Sequence, residues 1–129
     1  MEAVFAANEK EIWYLVSGQK NVENCPGKDC VLLDSRKAEG AGEKHLPEVE
    51  RDGKHIMVKV GSVLHPMTEE HSIEWIYLET QRGGQFRKLC PDGEPVAEFI
   101  VAPDDEAIAV YAYCNLHGFW KKELTSGIE

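Results

Sequence analysis

The stretch HIMVKV, residues 55–60, shows the pattern that decides the fold. Its apolar side chains Ile56, Val58 and Val60 recur at every second position. Successive side chains of a β-strand point to opposite faces, so this alternation predicts a strand with one buried face. The Asp-Gly pair at 52–53, just before the stretch, is a turn signal, because glycine reaches backbone angles that other residues avoid.

The rest of the sequence repeats this organisation as short apolar segments separated by turn formers. The later segments are SIEWIYLET (72–80), QFRKLC (85–90), AEFIVA (97–102), AIAVYAYC (107–114) and GFWKKEL (118–124). Turns are expected at Gly83-Gly84, Pro91–Gly93 and Pro103–Asp105. About six or seven short strands with hairpin-length turns, and no long helical period, predict an all-β fold, an antiparallel β-sandwich. A β-barrel is the alternative architecture.

The segment SIEWIYLET predicts a strand with apolar side chains on both faces. We expect Ile73, Trp75 and Tyr77 on one face. Ile76 and Leu78 are expected on the other face. Both faces of this strand should therefore be at least partly covered.

Composition and charge limit the classes of partner. The 129 residues, 43% of them hydrophobic, suit one compact domain with a small appendage. The 14 basic and 23 acidic residues give a net charge of −9, which disfavours binding to nucleic acid or to an anionic membrane. The sequence opens with neither the basic region nor the apolar stretch of a signal peptide, and no apolar run is long enough to span a membrane. We therefore expect a cytoplasmic protein.

The first part of the sequence differs from the rest. It carries two apolar segments, IWYLV (12–16) and CVLL (30–33), with a stretch rich in turn formers between them. A polar connector that contains glycine, DSRKAEGAGEKH (34–45), follows. We therefore predict a small N-terminal lobe, residues 1–36, and a β-sandwich domain, residues 37–129.

Four histidines and one cysteine occupy positions where a metal site would need them. They are His45 in GEKHLP, His65 and His71 at the ends of HPMTEEH, and Cys114 and His117 in CNLHG. Their joint presence at loop-like positions of a β scaffold predicts a metal site, whereas a single cysteine that ends an apolar strand is usually a buried packing residue. From spacing alone, a closed structural zinc site is the alternative to a metal that does chemistry.

Other residues of similar type are interpreted as structural. His55 is expected on the surface of a strand, and Cys90 lies in a turn. Met67 and Trp120 are expected in the core.

Three motifs together resemble the superoxide reductases, the desulfoferrodoxin and neelaredoxin group. The motifs are GEKHLPEVE, VKVGSVLHPMTEEHSIEWIYLET and YCNLHGFWK, and the resemblance runs from about Gly42 to Lys122. It implies an immunoglobulin-like antiparallel sandwich that holds one mononuclear iron. By this resemblance the equatorial ligands of the iron are His45, His65, His71 and His117, and the axial ligand is the Cys114 thiolate.

The resemblance also implies an activity, which is the one-electron reduction of superoxide to hydrogen peroxide. Five protein ligands leave the sixth position of an octahedral ion open, as an inner-sphere redox site requires. The electron would return from an external donor such as a rubredoxin-like protein. In the family a lysine, here Lys44, lies beside the open position, and the preceding glutamate, here Glu43, can occupy that position in the oxidised state. We therefore expect Lys44 to steer the anion.

The N-terminal lobe departs from the longer form of the family. That form has a desulforedoxin-like lobe in which a CxxC pair and an adjacent CC pair bind a second iron. Here only Cys25 and Cys30 are present, spaced C-x4-C, and two thiolates cannot complete a tetrahedral sulfur site within one chain. We therefore predict a lobe without its metal.

Two other classes of function stay open at this stage. One is a β-sandwich stabilised by zinc without catalysis, and the other is an interaction module without a tightly held metal. The identity of the bound metal separates them from the enzyme. The electron donor and the oligomeric state, a homo-oligomer included, stay open too.

Overall fold

A computed structural model describes residues 4–8, 11–17, 31–33, 45–61 and 64–124. The chain divides into two compact units, Met1–Asp34 and Ser35–Glu129. The strands of the described residues pair antiparallel throughout, which confirms the prediction of an all-β antiparallel fold. Among these residues, no helix has the length and apolar character that crossing a membrane requires.

The first unit contains a small three-stranded sheet. Its strands are β1 (Phe5–Ala7), β2 (Ile12–Tyr14) and β3 (Val31–Leu32), in the order β2-β1-β3. Between β1 and β2, Asn8 Oδ1 accepts a hydrogen bond from the Glu11 N–H at 2.8 Å. Strands β2 and β3 fall within the two predicted apolar segments, whereas β1 is an additional strand.

The second unit contains two sheets. Its strands are β4 (Pro47–Asp52), β5 (His55–Val60), β6 (Ile73–Thr80), β7 (Gly83–Lys88), β8 (Val96–Ile100), β9 (Ala107–Cys114) and β10 (Gly118–Glu123). One sheet has the order β10-β9-β6-β7 and the other the order β4-β5-β8. Side chains of both sheets meet in one hydrophobic core, so the unit is a β-sandwich and not a barrel.

The alternating face of HIMVKV is the centre of this core. Ile56, Val58 and Val60 have no solvent exposure, as the pattern predicts. The opposite sheet contributes Ile76 and Leu78 of β6 and, from β9, Val110, Ala112 and Cys114. The buried end of β9 therefore delivers a cysteine to the edge of the core.

The prediction that Ile73 shares a face with Trp75 and Tyr77 is wrong, because β6 contains a bulge. Ile73 pairs with Cys114, and Trp75 pairs with Tyr113, so one extra residue of β6 lies between the partners of two residues that are adjacent on β9. Glu74 is the extra residue. Ile73 consequently belongs to the core together with Ile76, while Trp75 stacks on Tyr113 on the other face, with ring centroids 5.5 Å apart.

The turn expected at Gly83-Gly84 lies two residues earlier, at Gln81 and Arg82, and both glycines belong to β7. A side chain at Gly84 would collide with the phenol of Tyr77 on the neighbouring strand. Gly84 is therefore required for a close approach and not for a turn.

Candidate metal centre

The five predicted metal ligands lie at or next to strand ends that meet at one end of the sandwich. His45 precedes β4, His65 follows β5, His71 precedes β6, Cys114 ends β9, and His117 precedes β10. In antiparallel neighbours the start of one strand lies beside the end of the next. The topology therefore brings residues that are far apart in the sequence to the same end of the sandwich.

A tight turn joins two of these residues. Cys114 and Gly118 are paired across β9 and β10, which leaves three residues in the turn between them. Gly118 has a φ of +83°, a backbone conformation that side chains disfavour, so glycine is needed where the turn enters β10. The turn places His117 Nδ1 3.8 Å from Cys114 Sγ.

The ligand atoms form one compact cluster. One nitrogen of each of the four imidazoles and the Cys114 sulfur all lie within 4.8 Å of one another. Neighbouring imidazole centroids are separated by 4.7 Å (His45–His65), 4.6 Å (His65–His71), 5.0 Å (His71–His117) and 4.7 Å (His45–His117). The His45–His71 distance is longer, 6.4 Å, as expected for opposite corners of a square.

Burial differs between the two sides of the cluster. His45, His65 and Cys114 are buried, His71 is half-buried, and His117 is exposed. Cys114 Sγ lies 3.3 Å from His65 Nε2 and has no solvent exposure. The sulfur therefore belongs to the protein interior, whereas the cluster reaches solvent at His117.

His65 is held in a form that can bind a metal. Burial lowers the pKa of His65 to about 4, and the charges of the other three imidazoles act in the same direction, although the hydrogen bond to the Pro66 carbonyl opposes them. The ring is therefore neutral near pH 7. Its Nδ1–H donates to the Pro66 carbonyl oxygen at 2.7 Å, which leaves the lone pair of Nε2 directed toward the cluster.

Trp120 supports two of the histidines. Its indole stacks on the His45 ring, and its Nε1–H donates to the His117 carbonyl oxygen at 3.2 Å. Trp120 is buried, as expected of a core residue, but the sequence pattern did not indicate these contacts. The one feature of the sequence that could have indicated them is the position of Trp120, three residues after His117 and in the strand that follows the turn.

The donor set fits a single transition-metal ion. Imidazole nitrogen and thiolate sulfur suit iron, zinc and copper, whereas magnesium and calcium require oxygen ligands. Structural zinc sites are almost always four-coordinate, and this cluster offers five donors. The geometry therefore favours a metal with more than four ligands.

Some predicted residues cannot be located in this way. Glu43 and Lys44, and the pair Cys25 and Cys30, lie outside the described residues. Two residues interpreted as structural do not join the cluster: Cys90 is exposed, and His55 pairs with Glu98 on neighbouring strands.

Fold and site together define an all-β protein with a four-histidine, one-cysteine centre that could hold one metal ion. Residues 37–123 match the family described as Desulfoferrodoxin, and the chain belongs to this family. The family predicted from the three motifs is thereby confirmed.

Individual relatives agree with this assignment. A desulfoferrodoxin homolog of Archaeoglobus fulgidus is 42% identical over 97 residues, which is 75% of this chain and 76% of the homolog. The crystal structure of the superoxide reductase from Treponema pallidum matches with 36% identity and a TM-score of 0.78, over 95% of this chain and 98% of that one. A superoxide reductase from Giardia intestinalis described as 1Fe-SOR matches with 37% identity and a TM-score of 0.54, over 64% of this chain and 99% of that one.

Proposed function

We propose that this protein is a superoxide reductase, an oxidoreductase that converts superoxide to hydrogen peroxide at one mononuclear non-haem iron. The observation that supports the proposal most strongly is the cluster of five nitrogen and sulfur donors, which is buried around the sulfur and reaches solvent at one histidine. Relatives and structural neighbours named superoxide reductase add to it. The reaction consumes one superoxide, one electron and two protons for each hydrogen peroxide.

The proposed iron ligands are the four clustered imidazoles and one thiolate: His45, His65, His71, His117 and Cys114. When bound, the iron supplies the electron that reduces superoxide. Each imidazole is a neutral ligand, and the Cys114 thiolate donates electron density to the ion, as cysteine does in some haem enzymes. The buried position of Cys114 keeps water from the sulfur, so superoxide would approach a bound ion from the solvent side, where His117 is exposed.

Lys44 and Glu43 are proposed to act at the solvent side. A chain with a net charge of −9 repels an anion at long range, so attraction of superoxide requires a local cation. Lys44 adjoins His45 in the sequence and supplies that cation. We assign to Lys44 the steering of superoxide and the ordering of the water that delivers protons, and to Glu43 a place at the open position in the oxidised state.

One iron per chain is part of the proposal. The predicted lobe of residues 1–36 contains only Cys25 and Cys30, too few thiolates for a second tetrahedral sulfur site within one chain. Metal analysis of fully loaded protein should give close to one iron per chain. A value close to two would contradict the interpretation of the lobe.

The electron that restores the ferrous state is proposed to come from an external protein such as a rubredoxin. We also propose a cytoplasmic location, where thiolates stay reduced. Whether the chain works as a monomer or a homo-oligomer does not alter the proposed chemistry, because all five donors come from one chain.

The activity can be tested by stoichiometry. Iron-loaded protein is reduced, separated from the reductant and exposed to a pulse of superoxide, and the products are measured. Reduction gives one hydrogen peroxide for each superoxide consumed and no dioxygen. Dismutation would give one hydrogen peroxide and one dioxygen for every two superoxides, which would contradict the proposal. Zinc-loaded protein is the control that should not react, and inactivity of the iron-loaded protein would favour a non-catalytic metal site.

A further inference from the structure

Two separate segments carry four of the five donors, and one asparagine joins them. The loop before β6 carries His65 and His71, and the end of β9 with the turn that follows it carries Cys114 and His117. Asn115 follows Cys114 directly and is half-buried. It forms hydrogen bonds to the loop before β6 through both its backbone and its side chain.

Three hydrogen bonds connect Asn115 to that loop. Its backbone N–H donates to the Ser72 carbonyl oxygen at 3.2 Å. Its side-chain Oδ1 accepts from the Ser72 N–H at 3.0 Å. Its Nδ2 donates to the Glu70 carbonyl oxygen at 2.9 Å. The residues on both sides of His71 are therefore tied to the residue that follows Cys114.

The chemistry of the bridge requires an amide side chain. The loop offers one donor, the Ser72 N–H, and one acceptor, the Glu70 carbonyl, and an asparagine side chain satisfies both at once. Aspartate would lack the donor, and serine is too short to reach both groups.

Within its own loop His71 is held by a second residue. The His71 N–H donates to Thr68 Oγ1 at 3.1 Å, and the Thr68 N–H donates to the His71 carbonyl oxygen at 2.9 Å. Thr68 thus fixes the local conformation of the backbone around His71. Asn115 fixes the position of that loop relative to Cys114.

We infer that Asn115 is a positioning residue for the metal: its side chain sets the distance between His71 and the Cys114–His117 pair. This inference rests on the proposed metal site. Groups that orient metal ligands typically contribute 10–100-fold to metal affinity. Removal of the bridge should therefore weaken metal binding and alter the overlap between the thiolate and the ion, while the core stays intact.

The test uses the metal alone as its probe. Metal-free wild type, Asn115→Ala and Asn115→Ser are titrated with cobalt(II), and the thiolate-to-cobalt absorption reports the affinity. Asn115→Ser is the second variant because it keeps a polar side chain at a half-buried position but removes the bridge. The matched control is Asp105→Ala. Like Asn115, Asp105 uses its side chain to bind backbone groups, here the N–H groups of Arg82 and Glu106, but it is not part of the metal-ligand cluster.

We expect the two Asn115 variants to bind cobalt roughly 10–100-fold more weakly than wild type and to shift the thiolate absorption, with Asp105→Ala unchanged in both respects. Circular dichroism and thermal unfolding, both measured on the metal-free variants, establish that they are folded. Wild-type affinity and spectrum in a folded Asn115 variant would overturn the inference and leave the proposed function intact. A wild-type protein that binds cobalt without thiolate absorption would overturn the metal site as well.

Discussion

The indole of Trp120 lies parallel to the imidazole of His45, with ring centroids 4.8 Å apart and planes inclined by 16°. The same indole donates its N–H to the His117 carbonyl oxygen. One fully buried side chain therefore contacts two of the proposed ligands from inside the sandwich.

We expect Trp120→Phe to retain a ring against His45 but to lose the hydrogen bond to His117. The missing hydrogen bond and the smaller ring should together lower the free energy of unfolding by roughly 1–3 kcal/mol. Metal affinity should fall as well, measured by cobalt titration. Trp75→Phe is the control, because it makes the same substitution at an indole that stacks on Tyr113, which is not one of the proposed ligands. Equal metal affinities in the two variants would contradict a supporting role for Trp120.

Cys114→Ser should remove the colour of the oxidised iron protein. A ferric thiolate absorbs visible light through charge transfer from sulfur, and a serine oxygen at this buried position cannot replace that transition. Superoxide reduction should be lost even if iron stays bound, because the thiolate that would donate electron density to the iron is gone. Cys90→Ser, a change at an exposed cysteine, should leave spectrum and activity unchanged. A coloured Cys114→Ser protein would exclude Cys114 from the ligand set.

Lys44→Ala should slow the second-order reaction with superoxide by about tenfold or more at low salt. Its rate should also depend less on ionic strength, because salt screens the attraction that the variant has lost. Iron content should stay the same. Glu43→Ala should leave the rate nearly unchanged and alter the spectrum of the oxidised form. Pulse radiolysis measures these rates, and a variant at Lys44 that reacts as fast as wild type would exclude the steering role.

Asp105 gives a prediction for stability against pH. Burial is the largest single influence on its carboxyl and raises the pKa, but hydrogen bonds from the Thr80 side chain and the N–H groups of Glu106 and Arg82, together with the Arg82 charge, outweigh it and hold the pKa below its ordinary value. A carboxyl with a lowered pKa stabilises the fold above its unfolded pKa of about 3.9, and this contribution is lost as the pH falls through the folded value.

Asp105→Ala should therefore cost about 1 kcal/mol at pH 7, and the difference from wild type should shrink below about pH 4. Asp105→Asn keeps an acceptor oxygen and should retain more of the stability without that pH dependence. Urea unfolding from pH 7 to pH 3 measures both. A difference between wild type and Asp105→Ala that does not change with pH would contradict an ionised Asp105 as the source.

Much of the fold follows from local sequence pattern. The alternation of HIMVKV places Ile56, Val58 and Val60 in the core because one face of β5 is buried. Strand β4 has no comparable pattern: its residues PEVERD include four charged side chains at the edge of a sheet, so apolar alternation does not mark it. The bulge at Glu74 is equally hidden, because it depends on pairing with β9 and not on the sequence of β6 itself.

The five donors could be predicted because the motifs specify both residue type and spacing, and the structure brings all of them together. Their supporting residues could not be predicted in the same way. Asn115 and Trp120 act through hydrogen bonds to backbone groups, and a backbone group leaves no mark in the sequence. Which carbonyl or N–H faces such a side chain depends on the packing of strands that are distant in the chain.

The spread of the donors along the chain has a consequence for the durability of the fold. His45 and His117 are 72 residues apart, so an ion bound by both acts as a cross-link that closes a long chain loop, as a disulfide does. The sandwich has its own hydrophobic core, so we expect the metal-free protein to stay folded. Added ferrous iron at about 100 times the Kd should stabilise it by about 2.7 kcal/mol, measured as a higher Tm than in a chelator. An unchanged Tm would contradict this coupling. If iron binding and stability are coupled in this way, iron supply in the cell governs how long the protein persists as well as how much of it is active.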